Sequence, residues 1–276
     1  MARMFIRFKD GKSKAFTFSF DDGVVQDMAF IKMLEKYNLK CTFNLNSARF
    51  VKRDHVYPEG TIWRAMVEDD VLATYSSPYC SVACHSAHHP TLKNMSEAEI
   101  AEEILSDRRA HEARFGKIIN GMALPNGPYD ETTIKVLKMC GIKYARTVMG
   151  TQKFDIPREF VPFNPTCHYI SMAKFIDEFL TTEPKEDGYL FYVWGHTYEF
   201  DRDNKWELIE ENMKKISGYD NVWYADNDEI FNYIEKFRKL VTSANGRLVS
   251  NPTDTEIWFS TGSTTYSVKP GETISL

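Results

Sequence analysis

An α/β fold built on a parallel sheet is the class this sequence predicts, and three observations carry it. Short strand-like apolar runs alternate along the chain with stretches of helical period. One late run, Tyr189-Leu-Phe-Tyr-Val-Trp194, is apolar almost throughout, as a strand buried on both faces should be. The polar clusters that interrupt the pattern stand at the ends of several different strands, which is where barrel enzymes keep their chemistry. Seven strands are read, so a (β/α) barrel with seven strands rather than eight is preferred over an open doubly wound sheet.

The elements follow in order. Lys14-Ala-Phe-Thr-Phe-Ser-Phe20 alternates aromatic with small polar residues, a strand pattern. Val24 to Tyr37 places Met28, Ile31 and Leu34 at helical spacing and ends at Asn38. Cys41–Leu45 and Ser81–His85 read as strands two and three, with a long irregular stretch between Asn46 and Val82 that holds Trp63 and Tyr79 and is expected to wall a groove. Ser96-Glu-Ala-Glu99 is a capping box opening a helix that Gly116 stops. Ile119–Leu124 is strand four. Asp130 caps a helix to Met139, ended by Gly141, and Ile142–Arg146 is strand five. Ser171 is expected to cap a helix to about Leu180. Tyr189–Trp194 is strand six, Trp206–Ile216 a helix, Asn221–Tyr224 strand seven, and Asp226 opens the final helix to about Leu240.

After residue 245 the texture changes to turn signals, Asn245-Gly246, Asn251-Pro252 and Pro270-Gly271, around short strand-like runs. The expected organisation is therefore a catalytic barrel over residues 1–244 and a small β-rich C-terminal appendage over 245–276. Trp258 and Tyr266 in that appendage have two readings, cover for an apolar face or contact with sugar.

Composition bounds the function. The 276 residues are 43% hydrophobic and 26% charged, enough apolar mass for a sizeable core. The net charge is −5 and no long Lys/Arg block occurs, which argues against nucleic acid as a partner. No run of about 18 apolar residues suggests a membrane span, and the first ten residues do not resemble a secretion signal, so a cytoplasmic location is expected. The five cysteines are scattered and odd in number, which fits free thiols better than a disulfide framework.

Three clusters carry chemistry. The first strand ends in Asp21-Asp22-Gly23, and two adjacent carboxylates are costly to hold together unless a cation or proton separates them. The third strand ends in His85-Ser-Ala-His-His89-Pro90, with His85 and His89 four apart, a separation that can bring two imidazoles to one metal. Adding Asp22 gives two histidines and one carboxylate, a donor set that leaves positions for water and substrate. His196, ending the sixth strand, is a candidate acid or base.

Together these clusters resemble the polysaccharide deacetylases, carbohydrate esterase family four, over roughly residues 14 to 240. Phe20-Asp-Asp-Gly23 resembles the first family motif, His85 to Pro90 the second, Leu124-Pro-Asn-Gly127 the third, and the strand ending in His196 the last. The resemblance implies a distorted seven-stranded (β/α) barrel. It implies Asp21 as general base, Asp22, His85 and His89 as metal ligands, His196 as general acid, Ser86 as brace of the histidine loop, and the Asn126 N–H as part of an oxyanion hole. The cofactor would be a divalent metal, Zn2+ by default with Co2+ or Ni2+ as alternatives. The substrate would be an acetylated oligo- or polysaccharide that loses acetate. Other readings are a hydrolase of a non-sugar amide on the same scaffold and a decayed carbohydrate-binding protein.

Two departures stand out. Many family members carry an Arg at the start of the third motif that pairs with the catalytic Asp, and here that residue is Ala123; Arg146, ending the next strand, is the expected substitute. The usual Leu two residues before the final His is Trp194.

Overall fold

The structure is a computed structural model and describes residues 3–276. The chain opens with β1 (Phe5–Arg7), β2 (Lys14–Asp21), α1 (Asp27–Tyr37) and β3 (Cys41–Leu45). It continues through α2 (Glu68–Tyr75), β4 (Cys80–Cys84), α3 (Glu97–Phe115), β5 (Gly121–Ala123), α4 (Glu131–Met139) and β6 (Tyr144–Arg146). Next come β7 (Cys167–His168), α5 (Ala173–Thr181), β8 (Tyr189–Gly195), α6 (Tyr198–Arg202), α7 (Trp206–Ile216), β9 (Val222–Tyr224) and α8 (Asn227–Arg238). Five short strands finish the chain: β10 (Val241–Thr242), β11 (Leu248–Ser250), β12 (Ile257–Thr261), β13 (Thr264–Val268) and β14 (Thr273–Ser275).

The main sheet is parallel and curled, in the order β6-β5-β4-β3-β2-β8-β7. All seven expected strands are present, and the two-residue β7 joins them. β9 also pairs with β2, but only along Lys14–Phe16, while β3 takes the upper half of the same edge at Phe18–Asp21. The sides of β6 and β7 are bridged by an irregular segment. Ala145 and Thr147 donate to Phe160 and Phe163, and Phe163 donates back to Ala145, before the chain reaches β7. This irregular seam is the distortion in the barrel.

The alternation in β2 explains its place at the centre. Period two sends Phe16, Phe18 and Phe20 to one face and Thr17, Ser19 and Asp21 to the other. The phenylalanines pack outward, Phe18 against Phe30 of α1 and Phe20 against Phe200 of α6. The opposite face points into the barrel, where its polar atoms are paired: Thr17 donates to Asn227, and Asn44 of β3 donates to Ser19. A buried hydroxyl or amide is tolerable only when bonded, and this column of bonded polar groups leads up the strand to Asp21.

Helix boundaries follow their caps. Ser96, Asp130 and Asp226 each form a capping box, and Gly116 ends α3 in the left-handed conformation. Three expectations are corrected. Ser171 caps nothing: it ends a 3-10 turn, and α5 begins at Ala173 without a side-chain cap. The stretch after Asn46 is not wholly irregular, since it contains α2. Helix α1 starts at Asp27 rather than Val24, because Val24 is held in a bridge to Ala65 and its N–H donates to Asp27.

The C-terminal strands form two small antiparallel sheets, β1-β12-β13 and β10-β11-β14. The first recruits β1 from the chain's other end, and a second apolar cluster that includes Ile6, Phe8, Ile257 and Phe259 fills the space beneath it.

Candidate metal and catalytic site

Four strand ends converge on a cleft of about 250 Å³ lined by Asp21, Asp22, His85, His89, Asn126 and His196 among others. β2 delivers the two aspartates, the loop after β4 the two histidines, the turn after β5 Asn126, and β8 His196. Backbone strain is concentrated here. Asp22, Ser86 and His89 have φ of 82°, 58° and 63°, a region that non-glycine residues rarely occupy. Strain of this kind persists only when the surroundings enforce it, and it gathers at functional sites. Gly23 continues the turn at φ 67°, and a Cβ there would stand 3.0 Å from Phe50, so the turn after Asp22 needs glycine.

Asp22, His85 and His89 offer ligand atoms that all lie within 4.8 Å of one another. Their state fits a cation. The Ala123 carbonyl lies 2.8 Å from His85 Nδ1. A carbonyl can only accept, so Nδ1 carries the proton and Nε2 presents its lone pair. That Nε2 is buried without a hydrogen-bond partner, and so is Asp22 Oδ1, 3.9 Å away, which has the Arg49 guanidinium as an ion-pair neighbour at 3.6 Å. Burial, then the neighbouring His85 ring, pushes His89 down to about 4, so its imidazole is neutral at neutral pH and able to coordinate. Its Nε2 lies 3.5 Å from Asp22 Oδ1. The other Asp22 oxygen accepts from Trp63 Nε1 at 3.0 Å, so Trp63 orients the carboxylate. His88, the third histidine of the run, points outward to Glu103.

Asp21 is buried and held by Asn44, which donates to Oδ1 at 2.8 Å, and by Arg146, whose Nη2 donates to Oδ2. Burial alone would raise this carboxyl. Arg146, then His85 and His196, outweigh it and hold Asp21 below the usual carboxylate range. The two motif departures meet at this point, because the fully buried Arg146 guanidinium lies over the Trp194 ring, 4.5 Å from its centroid. The cation beside Asp21 thus comes from β6, and the Trp194 ring supports it.

His196 Nε2 lies 3.7 Å from Asp21 Oδ2. Behind it stands Glu199, which the sequence reading did not single out. Its Oε1 is 3.6 Å from His196 Nδ1, and its Oε2 is 3.0 Å from His168 Nε2. Neither contact is a hydrogen bond. Glu199, His168 and His196 also group closely enough to hold an ion; here the carboxylate is occupied by the two imidazoles. Burial works against charge on His196, but Glu199, then Asp21 and Asp22, raise it above its ordinary value. A raised histidine contributes stability that is full below about 6.5 and is lost as pH rises through the folded-state value. Glu199→Gln should therefore move the alkaline limb of any activity that needs protonated His196 to lower pH, with the acidic limb unchanged. A pH–rate profile of both proteins checks this, and coincident alkaline limbs would remove Glu199 from the role.

Ser86 does not brace the loop through its hydroxyl, which is buried and unpartnered. Asn46 does that work, donating to the carbonyls of His85 and Ser86 at 2.6 and 2.8 Å. Asp107 of α3 accepts from the N–H groups of His85 and Ser47 and pairs with His111 one turn on. The only sequence trace of these braces is an Asp and a His at i, i+4 within α3. Asn126 sits at φ 58° in a tight turn closed by Gly127 N–H on Leu124 O, with its side chain donating to Thr91.

The family model for polysaccharide deacetylases matches residues 8–145, half of the chain. The chain belongs to the polysaccharide deacetylase family. The matched half contains Asp21, Asp22, His85, His89 and Asn126, while Arg146 and His196 lie beyond it. Among solved structures, the Xyl-CE4 domain of a multidomain xylanase from the hindgut metagenome of Trinervitermes trinervoides is 17% identical, with TM-score 0.51 over 81% of this chain and 92% of that one. A family 4 acetyl xylan esterase from Clostridium thermocellum, in complex with a cobalt ion, is 15% identical, with TM-score 0.50 over 79% and 91%. These two likenesses establish the deacetylase-family fold. The Streptococcus pyogenes deacetylase PplD matches at 19% identity and TM-score 0.41 over 48% of this chain, which spans only 55% of that protein. No curated protein matches the sequence. No helix among the described residues is long and apolar enough to cross a membrane.

Proposed function

We propose that this family member is a metal-dependent deacetylase that hydrolyses an N- or O-acetyl group on a carbohydrate and releases acetate. The observation that carries the reading is the pair of buried ligand atoms without hydrogen-bond partners, His85 Nε2 and Asp22 Oδ1, in the same cleft as Asp21 and His196. Asp22, His85 and His89 would hold the cation, with Zn2+ the first choice for this nitrogen and oxygen donor set. A divalent ion supplies Lewis acidity, polarising the acetyl carbonyl and easing deprotonation of water. Asp21, ionised and oriented by Arg146 and Asn44, accepts the proton of the attacking water. The Asn126 N–H, which has no acceptor among the described residues, would donate to the developing oxyanion. His196, kept protonated by Glu199, gives its proton to the departing nitrogen or oxygen.

Acetate release from acetylated chitooligosaccharides, peptidoglycan fragments, acetylxylan and small acetamides, with and without chelator, tests the proposal. Release from at least one glycan, abolished by chelator, is expected. Release from small acetamides alone would overturn the carbohydrate assignment. Elemental analysis provides a second check. His89→Ala should lose most of the bound metal, and metal content equal to wild type would remove His89 as a ligand.

A further inference from the structure

A second cavity of about 380 Å³ lies at the opposite end of the barrel, between β12, α8 and the turn before β2. Trp223 in β9 pairs with Ala15, six residues before Asp21 on β2, so it stands roughly 20 Å from the catalytic cleft at about 3.3 Å per residue. Two of the chain's five tryptophans, Trp223 and Trp258, line it together with Tyr233.

These rings are fixed in place. Tyr233 packs on Trp223 with centroids 5.3 Å apart, donates its hydroxyl to the Arg7 carbonyl, and accepts from the Trp258 backbone N–H. Trp258 lies against Gly11 so closely that a Cβ there would come within 3.1 Å of its ring. The platform is therefore assembled from both chain ends and the last helix, with little side-chain freedom left to lose on binding. Both tryptophans line the cavity, and neither indole N–H has an acceptor among the described residues.

The polar groups around the rings fall into two sets. Glu229 is taken up by the α8 capping box and Lys40, and Lys236 by Asp254 and Thr255. Asp10 and Glu256 have no ion-pair partner among the described residues, and Asn232 adds an exposed amide. Rigid aromatic faces for C–H groups, indole donors, and free carboxylate and amide acceptors for hydroxyls are the complement of a pyranose ring. An apolar peptide side chain would leave those carboxylates facing it unpaired, at a cost.

We propose that this cavity binds a sugar unit of a glycan chain, as a second carbohydrate site separate from the catalytic cleft. Its position makes it a tether: a polymer held there is anchored while another segment, or another chain, enters the cleft. The choice of a glycan ligand rests on the deacetylase reading given above, but the binding measurement does not depend on catalysis.

The test is retardation of the full-length protein in native gels containing glycol chitin, glycol chitosan or acetylated xylan, with acetate release from an acetylated disaccharide measured in parallel. Wild type should be retarded by at least one polymer, and Trp258→Ala should weaken that retardation on the order of tenfold while disaccharide turnover stays unchanged. If Trp258→Ala lowers the melting temperature, the rim variant Glu256→Gln/Asn232→Ala serves instead, since neither side chain is in the core. Retardation of wild type by none of the polymers would overturn the proposal. So would equal retardation of wild type and a folded cavity variant. Retardation without any acetate release would overturn the deacetylase reading and leave the second site standing.

Discussion

Asp21→Asn and His196→Ala should each lower acetate release by about a hundredfold or more while metal remains bound. Asparagine keeps the shape of Asp21 and its contact with Asn44, but it cannot take a proton from water. Alanine at 196 removes the imidazole proposed to protonate the leaving atom. His196 Nε2 and Asp21 Oδ2 stand 3.7 Å apart; if the two groups serve one reacting centre, as proposed, the double variant should be little worse than either single one. Near-normal turnover in either variant takes that residue out of the mechanism.

Arg146→Met should cost both stability and turnover. The guanidinium and the Asp21 carboxylate are both buried, and removing one member of such a pair leaves an uncompensated charge, worth about 3–5 kcal/mol. The sign of the pH effect follows from the lowered Asp21 value. A depressed carboxyl contributes stability that is present above its unfolded value, near about 3.9, and is lost as pH falls through the folded one. Without Arg146, burial dominates, the Asp21 carboxyl rises, and the acidic limb of the rate profile moves to higher pH. Arg146→Lys keeps a charge but loses the planar fork and its stacking on Trp194, so its loss should be smaller and its acidic limb intermediate. Melting curves and pH–rate profiles read both quantities. A wild-type profile in both variants would make Arg146 a structural residue only.

The parts of this fold legible in the sequence are those with strong local periods or caps. The Phe/polar alternation of β2 set its two faces, and the Ser96 and Asp130 boxes set the starts of α3 and α4 to the residue. Elements that depend on distant partners were not legible. β1 is three residues long and exists because β12, some 250 residues later, pairs with it. β7 has two residues, and α2 buries only Val71 and Tyr75, too few for a helical period to emerge. The site divides in the same way. Strand-end Asp and His residues stand out by clustering and by motif, and Arg146 only by ending the strand beside the position where Ala123 replaces the motif Arg. Asn44, Asn46 and Asp107 are single polar residues inside ordinary elements, and nothing local distinguishes a brace from a solvated side chain. Glu199 was missed for the same reason: its partners, His168 and His196, come from two different strands. Trp63 was expected as groove wall, and only the structure shows that its indole is bound to Asp22.

The central claim is that Asp22, His85 and His89 hold the ion on which deacetylation depends. Chelator-stripped protein titrated with Zn2+, with acetate release followed on the best glycan of the screen, tests it most directly. Activity should be absent at the start, rise with added metal, and level off near about one equivalent, while His89→Ala stays flat over the same range. Full acetate release from the stripped protein, or a wild-type titration curve from His89→Ala, would contradict the claim.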